Sequence, residues 1–395
     1  MLTDSLDFQK DLANHHVYSA WQFIQYAQKN IEIVQYCYMT INNLIEKMTS
    51  KTVRWQQDLF SDFTEGKTET GEVVRKIAVA TENVPVYEVR VAGEKVDPWF
   101  LFDKLLRDFY QYTMNSFDSM SQIANSGLLA NKSKSVDSAD FQRMASCFQQ
   151  VTYKTAFPKT SAWFESVSVS INFEYIEAIN NRTKHTADIS NKLSMGILGS
   201  SNTAQIGPFF RKGVPHDRKE LSDQLQANID FLQQSWIDFL AVFCEEYVLD
   251  VFVDNRIHEI CGVYQQKMKE DPKQSLSYAY IQVVNDFNSM PDELYVLFVK
   301  ADEEVKAHEC PFETLLICGT NEMDILGRYV AVEPIGDDCL LHYRKYKKDS
   351  VHVGMTCMFA EMKGENTNFY HWNPFFNITP VSDDDNFLKR SSLPF

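Results

Sequence analysis

Apolar residues recur at three- and four-residue steps through the first part of the chain. Tyr18, Trp21, Ile24, Ala27, Ile31, Val34, Cys37, Ile41, Leu44 and Ile45 trace one broad stripe between about Asp7 and Met48, a stretch free of Pro and Gly. That period predicts one long amphipathic helix within residues 1–50. Residues 50–72 carry no clean period. Val73 to Val79 and Val84 to Val91 are β-branched and alternate around Ala80-Thr81-Glu82-Asn83. This predicts a β-hairpin inserted over 72–92, with Pro85 marking an edge strand.

The helical period resumes at Asp97-Pro98, an N-cap residue followed by proline at the first helical position. Phe100, Leu101, Leu105, Phe109, Tyr112, Phe117, Met120 and Ile123 carry that helix to a stop near Asn125-Ser126-Gly127. A shorter helix is expected from Asp137 or Ser138 to about Gln150, and a longer one from about Thr160 through Ile179. Leu221, Leu225, Ile229, Leu232, Trp236, Leu240, Phe243 and Tyr247 define another, starting at Asp217 and running to about Lys267. A last helix is expected from Gln274 to Asn288. Residues 186–216 interrupt the pattern with Gly196, Gly199, Gly207, Pro208, Gly213 and Pro215. They read as one long glycine-rich loop, and structureless loops of that length in compact domains are usually functional or disordered.

Beyond Pro291 the period switches from 3.6 to 2. Leu294–Lys300, Thr314–Cys318, Tyr329–Pro334, Cys339–Tyr346, Met355–Glu361 and Phe369–Phe376 read as short strands between turns. The expected fold class is therefore α+β, mainly α. It comprises a helical bundle over 97–290 with the inserted hairpin, a small antiparallel β module over 291–380, and a tail at 381–395.

Charge narrows the function classes. A net −16 and a pI near 5.0 repel phosphate backbones at long range, which argues against a DNA-coating protein. The eight cysteines are scattered without a C-x-x-C pair, and several sit in apolar runs such as Val242-Phe243-Cys244. This is the pattern of reduced core residues. With no apolar run near membrane-spanning length and no basic-then-apolar leader, no membrane association and a cytoplasmic location are expected. The phosphate-loop, dinucleotide-binding, serine-elbow and H-E-x-x-H motifs are absent, so no cofactor and no metal are expected. His15-His16 are adjacent and point to different helix faces, which does not make a ligand pair.

One stretch runs against the acidic average. Asn180-Asn181-Arg182-Thr183-Lys184-His185 closes the Thr160 segment and opens a basic island. Across 181–219, seven cations (Arg182, Lys184, Lys192, Arg211, Lys212, Arg218, Lys219) face two carboxylates (Asp188, Asp217), a net +5. Such a reversal marks a site for an anionic ligand. The stretch resembles the motif of HEPN domains, helical bundles that include metal-independent ribonucleases of bacterial toxin and phage-defence systems. Asn181, Lys184 and His185 match the Asn, Lys and His of their common Arg-Asn-x-x-Lys-His form. The sequence departs from it at Asn180, which stands where that form has arginine, and Arg182 lies only two residues further on.

The resemblance implies His185 as the proton-transferring residue, with Arg182 as the nearby charge-stabilising candidate; Asn180, Asn181 and Lys184 of the motif and Arg211 and Lys212 of the basic island are the expected substrate-binding residues. It makes the chain a candidate metal-independent endoribonuclease and implies a homodimer with Asn181 and His185 near the two-fold. A catalytically silent module that binds RNA or a nucleotide is the second reading. A dimerising scaffold, in which Lys184 and His185 merely end a helix favourably, is the third.

Overall fold

A computed structural model describes residues 6–61, 64–76, 87–185, 191–194, 203–252, 260–266, 278–283, 292–301, 305–310, 312–318, 325–334, 340–341, 344–349 and 367–370. The described residues are mainly helical, with several small sheets, an α+β arrangement. They form two compact units. One comprises the described residues of Met1–Ile24, Ser121–Ser161 and Ala241–Phe395; the other comprises those of Gln25–Met120 and Ala162–Leu240.

The long N-terminal helix is two helices, α1 (Leu6–Asn14) and α2 (Ala20–Ser61). The break falls at His16, which adopts a left-handed φ of 64°. There the Val17 amide turns back to donate to the Leu12 carbonyl. Neither Gly nor Pro announces this stop, which is why periodicity alone ran through it. α2 also extends past the expected end, because Thr52 and Gln56 are buried and continue the inward face with polar side chains. The Asp97-Pro98 start is where it was expected. α3 (Pro98–Leu128) begins there, and the Asp97 carboxylate accepts from the Trp99 amide at 2.8 Å.

Residues 77–86 of the hairpin expected over 72–92 lie outside the described residues, and its described ends belong to two smaller hairpins. β1 (Thr64–Lys67) pairs with β2 (Val73–Lys76), and β3 (Val89–Val91) with β4 (Glu94–Val96). The second closes on Ala92-Gly93, both at positive φ, the geometry of a two-residue turn matched to strand twist. The expected turn at 80–83 lies outside the described residues.

α4 (Phe141–Phe148) is capped by Asp140, whose carboxylate accepts from the Arg143 amide at 2.9 Å, and α5 (Val151–Ala156) follows. The single helix expected from Thr160 divides into α6 (Pro158–Ser168) and α7 (Ile171–His185). Ser170 caps α7: its hydroxyl accepts from the Asn172 amide and its carbonyl from the Glu174 amide. α8 (Leu221–Glu246) is the last α-helix among the described residues.

Within the unit formed by 25–120 and 162–240, large side chains meet at the core. Phe117 sits edge-on to Phe173 with centroids 5.1 Å apart, and Trp163 packs on Phe239 at 4.8 Å. In the other unit Phe148 and Phe157 pack together, and the buried Glu246 carboxylate accepts from the Lys159 and Thr160 amides at 2.8 and 3.0 Å. It thereby satisfies two amides at the α6 N-terminus that have no partner inside the helix.

The helices expected up to Lys267 and from Gln274 to Asn288 are corrected by strands β10 (Ile260–Gln266) and β11 (Tyr278–Val283). Both are short, and β10 carries Ile260, Val263 and Tyr264, residues suited to a pleated surface. They join β12 (Glu293–Ala301), β13 (Val305–Glu309), β14 (Thr314–Cys318), β15 (Ile325–Ala331), β16 (Arg344–Asp349) and β17 (Thr367–Tyr370) in an eight-stranded sheet ordered β13-β12-β16-β15-β14-β11-β10-β17. β11 and β14 run parallel and the other pairs antiparallel, so the sheet is mixed where an antiparallel one was expected. The strand expected at 355–361, residues 371–376 and the tail at 381–395 lie outside the described residues. Arg344 is buried within the sheet's unit, with its guanidinium donating to the Cys310, Phe312 and Glu333 carbonyls and to the Glu313 carboxylate.

Cys37, Cys147 and Cys310 are buried free thiols, whereas Cys244 is exposed on α8 despite its apolar neighbours. Among the described residues no helix is long and apolar enough to cross a membrane.

Candidate functional site

α7 fixes the geometry of the motif. Phe173, Ile176 and Asn180 fall on one helical stripe, and all three are buried. Asn180 is 5% exposed, and its Oδ1 has no hydrogen-bond partner. It is a core-facing residue, not one turned to solvent. Asn181, Lys184 and His185 occupy the i, i+3 and i+4 positions of the last turn of α7. Asn181 is half-buried and Lys184 exposed, and His185 is the helix's last residue. The Thr183 hydroxyl donates back to the Ile179 and Asn180 carbonyls.

The expected glycine-rich loop carries secondary structure. β5 (Asn191–Ser194), β6 (Thr203–Ile206) and β9 (Lys219–Glu220) form one three-stranded sheet, while β7 (Phe209–Arg211) and β8 (Val214–His216) form a hairpin. Its turn is Lys212-Gly213, with φ of 49° and 82°. Gly213, one of the glycines of that stretch, supplies a left-handed turn position. Residues 186–190 and 195–202 lie outside the described residues.

Arg182 joins the two halves of the site. Its Nη1 donates to the Phe210 carbonyl oxygen at 3.0 Å, while its Nε is buried without a partner. The α7 terminus is thereby tied to the strand that continues into Arg211 and Lys212. Arg218, between β8 and β9, donates from Nε to the Gly207 carbonyl at 3.1 Å, within the hairpin segment itself. Two island cations thus serve the hairpin's own structure. Lys184 and Lys212 are exposed and Arg211 half-buried.

Beneath the hairpin lies an aromatic cluster that periodicity did not single out. The His216 ring stacks on Phe209 at 4.5 Å and meets Tyr175 edge-on at 5.8 Å, and Phe209 packs on Tyr175 at 5.7 Å. The Lys219 ammonium sits over the Tyr175 ring at 4.2 Å. Burial lowers the His216 pKa, with Glu174 opposing and Lys219 reinforcing the shift. Burial also lowers that of Lys219 and raises that of Tyr175, whose hydroxyl has no hydrogen-bond partner. Arg211 and His216 share a hairpin, but His216 is committed to this cluster. No group of three His, Cys, Asp or Glu residues able to hold a metal occurs among the described residues.

A family model described as a domain of unknown function (DUF8310) matches residues 258–382, less than half of the chain. The match spans β10 through β17 and leaves α7 and its hairpin outside. It groups β10 and β11, the strands periodicity had assigned to helices, with the rest of their sheet. No curated protein and no solved structure matches the chain.

Proposed function

We propose that this chain is a HEPN-like RNA-binding module that holds the phosphate backbone on the basic edge formed by the end of α7 and the β7–β8 hairpin. The observation that carries this reading is the Arg182–Phe210 hydrogen bond, which joins the Asn181/Lys184/His185 turn to the strand bearing Arg211 and the turn bearing Lys212. Lys184, Arg211 and Lys212 supply charge for phosphates, and Asn181 supplies an amide beside them. The choice of RNA rests on the resemblance of Asn181, Lys184 and His185 to the HEPN motif.

Binding without cleavage is the form the geometry favours. Asn180 stands where the family form has arginine and is buried, and Arg182 is engaged on a backbone carbonyl. Neither is available as a free cation for a developing phosphorane charge. The same reading carries a homodimer with Asn181 and His185 near the two-fold.

The test is incubation of the full chain with labelled RNA and a chelator, beside His185→Ala and Lys184→Ala/Arg211→Ala/Lys212→Ala. The expected result is intact RNA throughout and binding that the triple variant weakens at least tenfold. Chelator-resistant cleavage abolished by His185→Ala would replace the silent module with a ribonuclease, and failure of the wild type to bind RNA would overturn both.

A further inference from the structure

β7 carries two consecutive phenylalanines with opposite fates. Phe209 is 3% exposed and packed on His216 and Tyr175, whereas Phe210 is 64% exposed. Successive strand residues point to opposite faces, so anchoring the first ring displays the second. Across the hairpin Phe210 pairs in register with Pro215, which is also exposed, so the two form an apolar outer face. That face is held in place from the backbone side, because the Phe210 carbonyl is the oxygen that Arg182 holds.

The surroundings indicate what such a ring would meet. Arg211 follows it directly on the opposite face of the strand, Lys212 sits at the turn, and Lys184 lies in the last turn of the helix to which the strand is tied. A solvent-facing aromatic ring flanked by cations, in a stretch of net +5 within a −16 chain, is complementary to an unpaired base with phosphates on either side. Duplex RNA keeps its bases stacked inside and offers a ring no such face.

Resting on the RNA-binding reading above, we propose that the ligand is single-stranded RNA, with one nucleobase stacked on Phe210 and the adjoining phosphates on Lys212 and Lys184. Stacking tolerates any base, so the site selects single strands without a strong sequence preference.

The experiment titrates the full-length wild type, Phe210→Leu and Phe210→Tyr with a labelled single-stranded RNA and its duplex. A second single strand carries 2-aminopurine, whose fluorescence reports stacking. Phe210 is exposed, so all three proteins should melt alike, and melting is recorded alongside. The expected result is preference for the single strand, about tenfold weaker binding by Phe210→Leu and near-wild-type binding by Phe210→Tyr. The 2-aminopurine change should appear with wild type and Phe210→Tyr and vanish with Phe210→Leu. Phe210→Leu binding as tightly as wild type, while Lys184→Ala/Arg211→Ala/Lys212→Ala binds weakly, would overturn the stacking proposal and leave the basic edge standing. Equal affinity for duplex would overturn it as well. So would unchanged RNA affinity in Phe210→Leu with a smaller mass by light scattering, which would make the ring a contact between copies. If the wild type binds no RNA at all, the underlying reading falls with it.

Discussion

The Arg182 guanidinium donates to the Phe210 carbonyl oxygen at 3.0 Å, tying the last turn of α7 to β7. A hydrogen bond from a charged donor to a carbonyl contributes about 1–3 kcal/mol to local order. Arg182→Ala should therefore free the hairpin: hydrogen exchange of the β7–β8 amides should accelerate at least several-fold and RNA affinity should fall. Arg182→Lys keeps a donor and the charge, and should retain most of both. Equal exchange rates in Arg182→Ala and wild type would remove Arg182 from this role.

Glu246 is 3% exposed and accepts the Lys159 and Thr160 amides. Glu246→Ala leaves two buried or half-buried donors without their acceptor, which should cost about 2–4 kcal/mol by chemical denaturation. Glu246→Gln keeps one acceptor oxygen and should lose less.

Gly127 lies inside α3, where alanine would ordinarily favour the helix by about 1 kcal/mol. A Cβ there would come within 2.5 Å of Phe243 Cε2, and the Phe243 ring is fully buried. Gly127→Ala should be destabilising on balance, because overpacking costs about 1–3 kcal/mol. A raised melting temperature would show that the ring yields freely.

Burial, with a smaller contribution from His15, pushes the His16 pKa down to about 3. A histidine whose folded pKa lies below its unfolded value of about 6.5 takes up its proton more readily when unfolded. Its contribution is therefore complete above pH 6.5 and is lost as pH falls toward 3. His16→Asn tolerates the left-handed backbone and does not titrate, so its stability should decline less steeply than the wild type's over that window. Parallel pH profiles would exclude His16 as a source of acid sensitivity.

The homodimer carried by the proposed function predicts a light-scattering mass of two 45.7 kDa chains. A monomer at all working concentrations would contradict a site shared across a two-fold.

How much of this was legible in the sequence depended on how local each signal was. Asp97 and Pro98 announce the start of α3 because cap and first-turn chemistry are contained in two residues. β12 and β14 were read as strands from the change of pattern beyond Pro291 and the turn residues that bound them. The assignment of β10 and β11 failed for the opposite reason: β11 is paired with β14, more than thirty residues further on, and short apolar runs do not distinguish a helix segment from a strand. Gly127 read as a helix stop, and α3 ends one residue later at Leu128; its absent Cβ also serves close packing against Phe243. At the site, the basic island and the shared helix turn of Asn181, Lys184 and His185 were readable from spacing. Asn180 was read as substrate-binding, although it continues the buried Phe173–Ile176 stripe. The hairpin was not, because Gly207, Gly213 and Pro215 signal turns without saying which strands they join. The Phe209–His216–Tyr175 cluster, which depends on that pairing, was hidden with it.

The central claim is that RNA is held by phosphate contacts at this one edge, and a salt titration of RNA affinity tests it most directly. Fluorescence anisotropy should give wild type a log–log slope of about −2, the value for roughly three cations on a single strand. Lys184→Ala/Arg211→Ala/Lys212→Ala should be nearly flat and bind weakly. Equal slopes and affinities for the two proteins would contradict the account.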